Sequence, residues 1–211
     1  MHYFSTEYIL FHIGDYPLSL IELVGTIFGL LSVWWAARAN ILTWPAGILN
    51  EIGFFVLFYQ VQLYADMLLQ VFFFVVTIYG WQKWRAQKDN QPLAITRLSQ
   101  QWRGYYLLFL IIGTILLGYF NSQFHILWPS IFPEPAAYPY PDAFTTMASV
   151  LATFLLANKK WEAWLFWVII DVICIILYFK KGIYVVAWEY VVFLVIASFG
   201  LYQWYRVQSR G

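Results

Sequence analysis

Residues 163–179 read AWLFWVIIDVICIILYF, an almost wholly apolar run that holds one charged side chain, Asp171. A helix needs roughly 20 apolar residues to cross a bilayer, so this run is close to membrane-spanning length. The chain of 211 residues has the same character throughout, with 62% hydrophobic and 11% charged residues. Soluble domains have about 25% charged residues, so the sequence predicts an integral membrane protein.

Six further apolar runs complete the pattern. We predict an all-α membrane protein with seven transmembrane helices, at residues 18–37, 44–61, 64–83, 104–124, 143–158, 163–179 and 184–205. Five prolines between residues 129 and 141 forbid a continuous helix there and predict a structured external loop. The segment before the first run carries Glu7 and Asp15 but no Lys or Arg, so we expect no cleavable signal peptide and targeting by the first helix.

The distribution of basic residues predicts the orientation. With the N-terminus outside and the C-terminus inside (N-out/C-in), the external side holds only Lys180 and Lys181. The cytoplasmic side then holds Arg38, Lys83, Arg85, Lys88, Arg97, Arg103, Lys159, Lys160, Arg206 and Arg210. Cytoplasmic loops are enriched in Lys and Arg, so we predict this topology.

Composition also excludes several classes of function. The net charge is +1 with no long basic run, which argues against nucleic-acid binding. A single cysteine, Cys174, excludes an internal disulfide. The three histidines, His2, His12 and His125, lack the close spacing of metal ligands, so we predict no metal and no cofactor.

The sequence also matches itself without gaps at an offset of 120 residues, with 22–84 aligned to 142–204. The most telling pairs are Trp44 with Trp164, Gly80 with Gly200, Trp84 with Trp204, Glu22 with Asp142 and Glu51 with Asp171. Because one helix separates two three-helix units, the units share one orientation. This predicts a 3+1+3 parallel repeat of SWEET-like architecture, with the substrate site near the bilayer midplane between the units. The predicted divisions are repeat 1 at 18–84, a cytoplasmic linker, fourth helix and Pro-rich loop at 85–141, and repeat 2 at 142–205.

Charges at membrane depth are all acidic, and they are Glu51, Asp66, Asp171 and Glu189. Such charges are costly in hydrocarbon and are expected to face a cavity or a partner. The phosphate or carboxylate groups of a substrate are usually bound by Arg or Lys side chains. Because no Arg or Lys lies deep within a predicted span, we expect a neutral or cationic substrate. The absence of a lysine at this depth also excludes a retinal Schiff base, which forms on a lysine amine.

Helical spacing groups these acids with amides and aromatic rings. The candidate substrate-binding residues are Asn50, Gln70, Thr77, Trp167, Asp171, Trp188, Glu189 and Tyr190. Amides and carboxylates suit ribose hydroxyls, and Trp and Tyr faces attract a flat cationic ring. For Asn50, Gln70 and Thr77, plain interhelical hydrogen bonds are the alternative. Trp44, Trp84, Trp102, Trp128, Trp161 and Trp204 are expected to form interfacial belts.

Several local motifs carry a family resemblance over nearly the whole chain. They are ELVGTIFGL at 22–30, WPAGILN at 44–50, QLYADMLLQ at 62–70, FFF at 72–74, YGW at 79–81, WLFWVIID at 164–171, GIY at 182–184 and EY at 189–190. Together they resemble the PnuC family of bacterial vitamin transporters, and specifically its nicotinamide riboside members. This chain departs from the family in carrying Asp171 where other members have Asn.

The resemblance implies facilitated diffusion of unphosphorylated nicotinamide riboside, trapping by a cytoplasmic nicotinamide riboside kinase, and a homotrimer in the bacterial inner membrane. It also implies contacts from Asn50, Gln70, Asp171, Trp188 and Tyr190. The alternative within transport is a carrier of the same fold for thiamine or another flat vitamin. Two other classes are an intramembrane enzyme using Glu51 or Asp171, for which no partner constellation exists, and a sensor or assembly protein.

Overall fold

The computed structural model describes residues 8–13, 16–60, 64–86, 93–130, 132, 134–182 and 184–210. Within these ranges the chain forms a short antiparallel hairpin and seven helices. The elements are β1 (Ile9–Ile13), β2 (Tyr16–Ser19), α1 (Leu20–Ala37), α2 (Thr43–Gln60), α3 (Tyr64–Arg85), α4 (Gln100–Leu127), α5 (Pro139–Ala157), α6 (Glu162–Lys180) and α7 (Tyr184–Arg210). The predicted seven helices are confirmed, and α5 begins earlier than expected because Pro139 and Pro141 lie in its first turn, where the missing N–H groups need no acceptor.

The hairpin is an element that the sequence analysis did not predict. Its strands pair Ile9 with Ser19, and Ser19 then caps α1 by accepting a hydrogen bond from the Glu22 N–H at 3.4 Å. Gly14 and Asp15, which stand between the strands in sequence, are typical hairpin residues but lie outside the described ranges. Within the described residues, Tyr8 also contacts the start of α1, because its carbonyl accepts a hydrogen bond from the Leu20 N–H at 3.3 Å.

Four helices of the described chain are long and apolar enough to span a membrane by length and composition. They are α1, α4, α6 and residues 186–210 of α7. Of the other three helices, α2 carries Asn50 and Glu51 within its apolar run, and α3 carries Thr77. The protein is thus a multi-pass membrane protein, and the crossing of the bilayer by all seven helices stays a prediction.

Six of the helices form a closed ring. Neighbouring helices contact each other in the cyclic order α1, α2, α3, α5, α6, α7 and back to α1. The remaining helix, α4, packs against α5 outside this ring and exposes a long apolar face. Residues 93–99 lie against the α5–α6 turn, where the Thr96 N–H donates to the Lys159 carbonyl at 2.9 Å.

Four tryptophans form the core at one end of the ring. Trp44, Trp84, Trp164 and Trp204 are at most 7% exposed. Edge-on contacts join Trp44 to Trp84 and Trp164 to Trp204, with ring centroids 5.1 and 5.8 Å apart. The expectation that Trp44, Trp84 and Trp204 form an interfacial belt is therefore wrong, because their rings pack against one another.

The contacts around this core recur at positions 120 residues apart. The Trp84 indole N–H donates to the Ala157 carbonyl at 3.1 Å, and the Trp204 indole N–H donates to the Ala37 carbonyl at 3.1 Å. Gly80 lies against the ring of Trp44 just as Gly200 lies against the ring of Trp164. The turns after α1 and α5 also share a left-handed residue, Ala39 (φ 52°) and Lys159 (φ 48°). Each half of the chain thus donates an equivalent tryptophan hydrogen bond to a backbone carbonyl of the other half.

Candidate substrate site

Polar side chains of α2 and α3 meet across the contact between these helices. The buried Glu51 carboxylate accepts a 2.5 Å hydrogen bond from the Thr77 hydroxyl through Oε1. A cleft of about 200 Å³ opens beside this pair. Its lining consists of Glu51, Ile52, Phe55, Gln70, Val71 and Phe74. The structure therefore brings Gln70 and Thr77 together with an acid that the predicted site set did not contain.

Asn50 faces a different neighbour. Its Nδ2 donates to the Gly25 carbonyl of α1 at 2.8 Å, and the same amide lies against Gly29. The two glycines allow α1 to approach α2 closely, since a Cβ at Gly29 would lie 2.8 Å from Asn50 Nδ2. The interhelical hydrogen bond that was the alternative for Asn50 is thus present, and Asn50 points away from Gln70.

A second group lies between α6 and α7. Asp171 and Cys174 are buried on α6, and Tyr190 of α7 stacks on Tyr178 with centroids 5.4 Å apart. The Tyr190 hydroxyl and the Cys174 thiol lie close to each other. Trp167 packs against the same buried cluster. Three predicted site residues, Trp167, Asp171 and Tyr190, are therefore neighbours here.

The remaining two candidates, Trp188 and Glu189, lie apart from this group. The Glu189 carboxyl lies near Thr26 and Glu22 of α1. Trp188 is 62% exposed and contacts Phe179 edge-on, with centroids 6.2 Å apart. Consecutive helical residues are about 100° apart around the axis, so Trp188, Glu189 and Tyr190 cannot all face one cleft.

Ion pairs are confined to helix ends in the part of the chain that the structure describes. Arg103 pairs with Glu162 at 3.2 Å and Lys181 with Asp142 at 3.5 Å. The acids at membrane depth take no part in either pair. Lys159, in the α5–α6 turn, lies over the Trp84 ring at 4.4 Å, and burial lowers the pKa of its ammonium group.

The described residues contain no cluster of three or more His, Cys, Asp or Glu that could hold a metal ion. Asp66 cannot be placed, because its side chain lies outside what the structure describes. Sequence reasoning identified Glu51 as a buried acid but omitted it from the site. The available signal was its position as the single charge inside the second predicted span.

Comparison with known proteins confirms the family resemblance. Residues 19–206 match the family described as nicotinamide mononucleotide transporter. The nicotinamide riboside transporter PnuC of Escherichia coli is 36% identical, and the alignment covers 100% of this chain and 98% of the relative. The riboflavin/roseoflavin transporter RibM of Streptomyces davaonensis is 23% identical, covering 98% of this chain and 92% of the relative.

A solved structure shares the fold. The crystal structure of the vitamin B3 transporter PnuC matches with a TM-score of 0.66 and 20% identity, covering 90% of this chain and 82% of the solved one. The family match and the Escherichia coli relative both cover the chain from α1 into α7. The chain belongs to the PnuC family of membrane transporters, and it is a transporter, not an enzyme.

Proposed function

We propose that this protein carries unphosphorylated nicotinamide riboside into the cytoplasm by facilitated diffusion. One observation carries the proposal. The polar groups at membrane depth are carboxyls, amides and hydroxyls, and among the described residues none of these carboxyls forms an ion pair with Lys or Arg. Nicotinamide riboside has a fixed positive charge and no phosphate, so it suits such a site. The 36% identity to a nicotinamide riboside transporter over the full chain supports the same substrate.

Metabolic trapping follows from the same chemistry. A cytoplasmic kinase that phosphorylates the riboside adds negative charge, and a path lined by acids without Arg or Lys disfavours the return of an anion. Net uptake then needs no coupling ion, and the carrier feeds NAD biosynthesis. Accumulation of riboside in kinase-free vesicles under a proton or sodium gradient would contradict this part of the proposal.

For the architecture we propose seven membrane spans in a 3+1+3 parallel repeat, N-out and C-in, in the bacterial inner membrane. The reciprocal bonds from Trp84 to Ala157 and from Trp204 to Ala37 support two equivalent units. A homotrimer is part of the proposal, and the exposed apolar face of α4 offers an area for lipid or for neighbouring subunits. Mass measurement of the detergent-solubilised complex tests the trimer.

The eight predicted residues remain the proposed contacts. Gln70 and Thr77 lie at the α2–α3 cleft, and Trp167, Asp171 and Tyr190 lie between α6 and α7. The other three, Asn50, Trp188 and Glu189, face α1 or the surface of the single chain.

A second candidate substrate is thiamine or another flat vitamin. The observation in its favour is the 23% identity to a riboflavin/roseoflavin transporter over almost the whole chain. Stacking sites tolerate changes of the ring, so the fold alone does not select the vitamin.

Calorimetric titration tests the proposal directly. The purified protein is titrated with nicotinamide riboside, its mononucleotide, thiamine and riboflavin, and the titrations are repeated on Gln70→Ala. Gln101→Ala is the matched control, because Gln101 is an exposed glutamine at the start of α4. We expect binding of the riboside alone, weakened about tenfold or more by Gln70→Ala, which corresponds to about 1.4 kcal/mol. Preferential binding of thiamine or riboflavin would instead identify that vitamin as the substrate.

A further inference from the structure

Glu51 differs from an ordinary helix-packing residue in how its two oxygens are used. The side chain is 7% exposed, and Oε1 accepts the hydrogen bond from Thr77. The second oxygen, Oε2, is buried and has no hydrogen-bond partner among the residues that the structure describes. Buried polar atoms are almost always paired, so an unpaired carboxylate oxygen is an exception that needs an explanation.

Among the residues that the structure describes, no Lys or Arg forms an ion pair with Glu51. The two ion pairs of the described chain lie elsewhere, at Arg103 and Lys181. A lone carboxylate is costly in a medium of low dielectric unless a cation or a proton neutralises it. One hydrogen bond from a neutral hydroxyl does not replace that cation.

The cleft beside Glu51 has the composition of a binding site for a flat cation with polar substituents. Gln70 offers an amide on the opposite helix, while Phe55 and Phe74 add aromatic rings to the lining. Aromatic faces attract cations, and a primary amide can both donate to and accept from hydroxyl or carboxamide groups.

We propose that Glu51 is the countercharge for a cationic heteroaromatic ring bound in the α2–α3 cleft, and that it makes the carrier prefer the charged form of its substrate. The inference rests on the proposed function and adds Glu51 as a specificity-determining residue. Thr77 is then a positioning residue, because its hydrogen bond to Oε1 holds the carboxylate in place and leaves Oε2 as the oxygen without a partner among the described residues.

The test compares two ligands that differ in charge and share the ribose. Nicotinamide riboside has a cationic pyridinium ring, whereas its reduced 1,4-dihydro form is neutral. We expect the wild-type protein to bind the cation at least tenfold more tightly than the neutral form. Glu51→Gln keeps the size and a hydrogen-bond acceptor for Thr77 but removes the charge, so it abolishes the preference, and Glu51→Asp restores part of it.

The outcomes separate this inference from the proposed function. If the wild-type protein binds neither riboside, the proposed substrate is wrong. If it binds both forms equally, or if Glu51→Gln weakens both forms by the same factor, the proposed substrate stands and the countercharge is refuted. A preference that survives in Glu51→Gln but disappears in Asp171→Asn also overturns the assignment to Glu51. Thermal unfolding of each variant, with Gln101→Ala as the reference, shows that the comparison is made on folded protein.

Discussion

Substitution of Gly200 by alanine tests the tryptophan core. Gly200 of α7 lies directly against Trp164, and a Cβ at this position would be 2.7–2.8 Å from Cδ2, Cε2 and Cε3 of the indole. The indole has little room to move, since Trp164 is 1% exposed and packs edge-on against Trp204. The new methyl group must therefore displace a large buried ring or the helix itself.

The expected loss of stability in Gly200→Ala is estimated by comparison with a matched control, Gly104→Ala. Gly104 of α4 has nothing within 4 Å of an added Cβ, so Gly104→Ala only gains helix propensity, about 1 kcal/mol. Gly200→Ala makes the same gain and in addition overpacks the core, which costs about 1–3 kcal/mol. We expect Gly200→Ala to be less stable than Gly104→Ala by that overpacking cost.

Thermal unfolding in detergent, followed by tryptophan fluorescence, measures the difference. For a chain of this size, 1 kcal/mol shifts Tm by about 2–4 °C. Gly80→Ala, which meets Trp44 in the other half of the chain, is expected to shift Tm in the same direction. The packing argument is refuted if Gly200→Ala unfolds at the same temperature as Gly104→Ala, or above it.

Three further predictions concern other contacts. Trp204→Phe removes the indole donor to the Ala37 carbonyl and is expected to lower the free energy of unfolding by about 0.6–1.7 kcal/mol in a denaturant titration. Glu162→Ala removes the acceptor of the Leu98 N–H and is expected to cost about 1–3 kcal/mol, with little dependence on salt because the buried backbone bond outweighs the exposed ion pair. Trp188→Ala is expected to weaken riboside binding less than Tyr190→Ala in calorimetry, because the Trp188 ring is exposed and the Tyr190 ring is stacked. Equal losses in these two variants would contradict this ranking of the two proposed contacts.

The helices could be predicted from sequence because the membrane imposes a simple requirement. A backbone in hydrocarbon must satisfy its own hydrogen bonds, so long apolar runs become helices almost regardless of their neighbours. The run at 163–179 accordingly falls inside α6, Glu162–Lys180. The hairpin before α1 was missed because all of it except residues 18 and 19 lies before the first predicted span, where this requirement gives no guidance.

The environment of the tryptophans could not be predicted in the same way. An indole near a helix end is equally suited to the membrane interface and to a core at the same depth. Trp102 and Trp128 are exposed, whereas Trp84 and Trp204 are buried. Which case applies depends on the helix that approaches from the other half of the chain, and that approach is a property of the tertiary fold.

The candidate site was predictable in its chemistry and less so in its geometry. Helical spacing shows which residues share a face of one helix but does not show which helix packs against that face. Asn50 and Glu51 are adjacent in sequence, yet the first bonds to α1 and the second to α3. Polarity at membrane depth therefore indicates candidate positions, and the structure shows which helices their side chains contact.

The two buried acids suggest how a nearly symmetric frame can hold an asymmetric ligand. Glu51 and Asp171 occupy positions 120 residues apart, on α2 and α6, which lie opposite each other in the ring of helices. Their neighbours on the following helix, Gln70 and Tyr190, are also 120 residues apart, but one is an amide and the other an aromatic ring. A riboside likewise joins a polar sugar to a flat ring. We therefore infer that the difference between the side chains at positions 70 and 190 selects the substrate, while the arrangement of the helices is the same in both halves. Exchanging the two side chains, as Gln70→Tyr with Tyr190→Gln, should then weaken riboside binding while leaving the thermal stability of the tryptophan core largely intact.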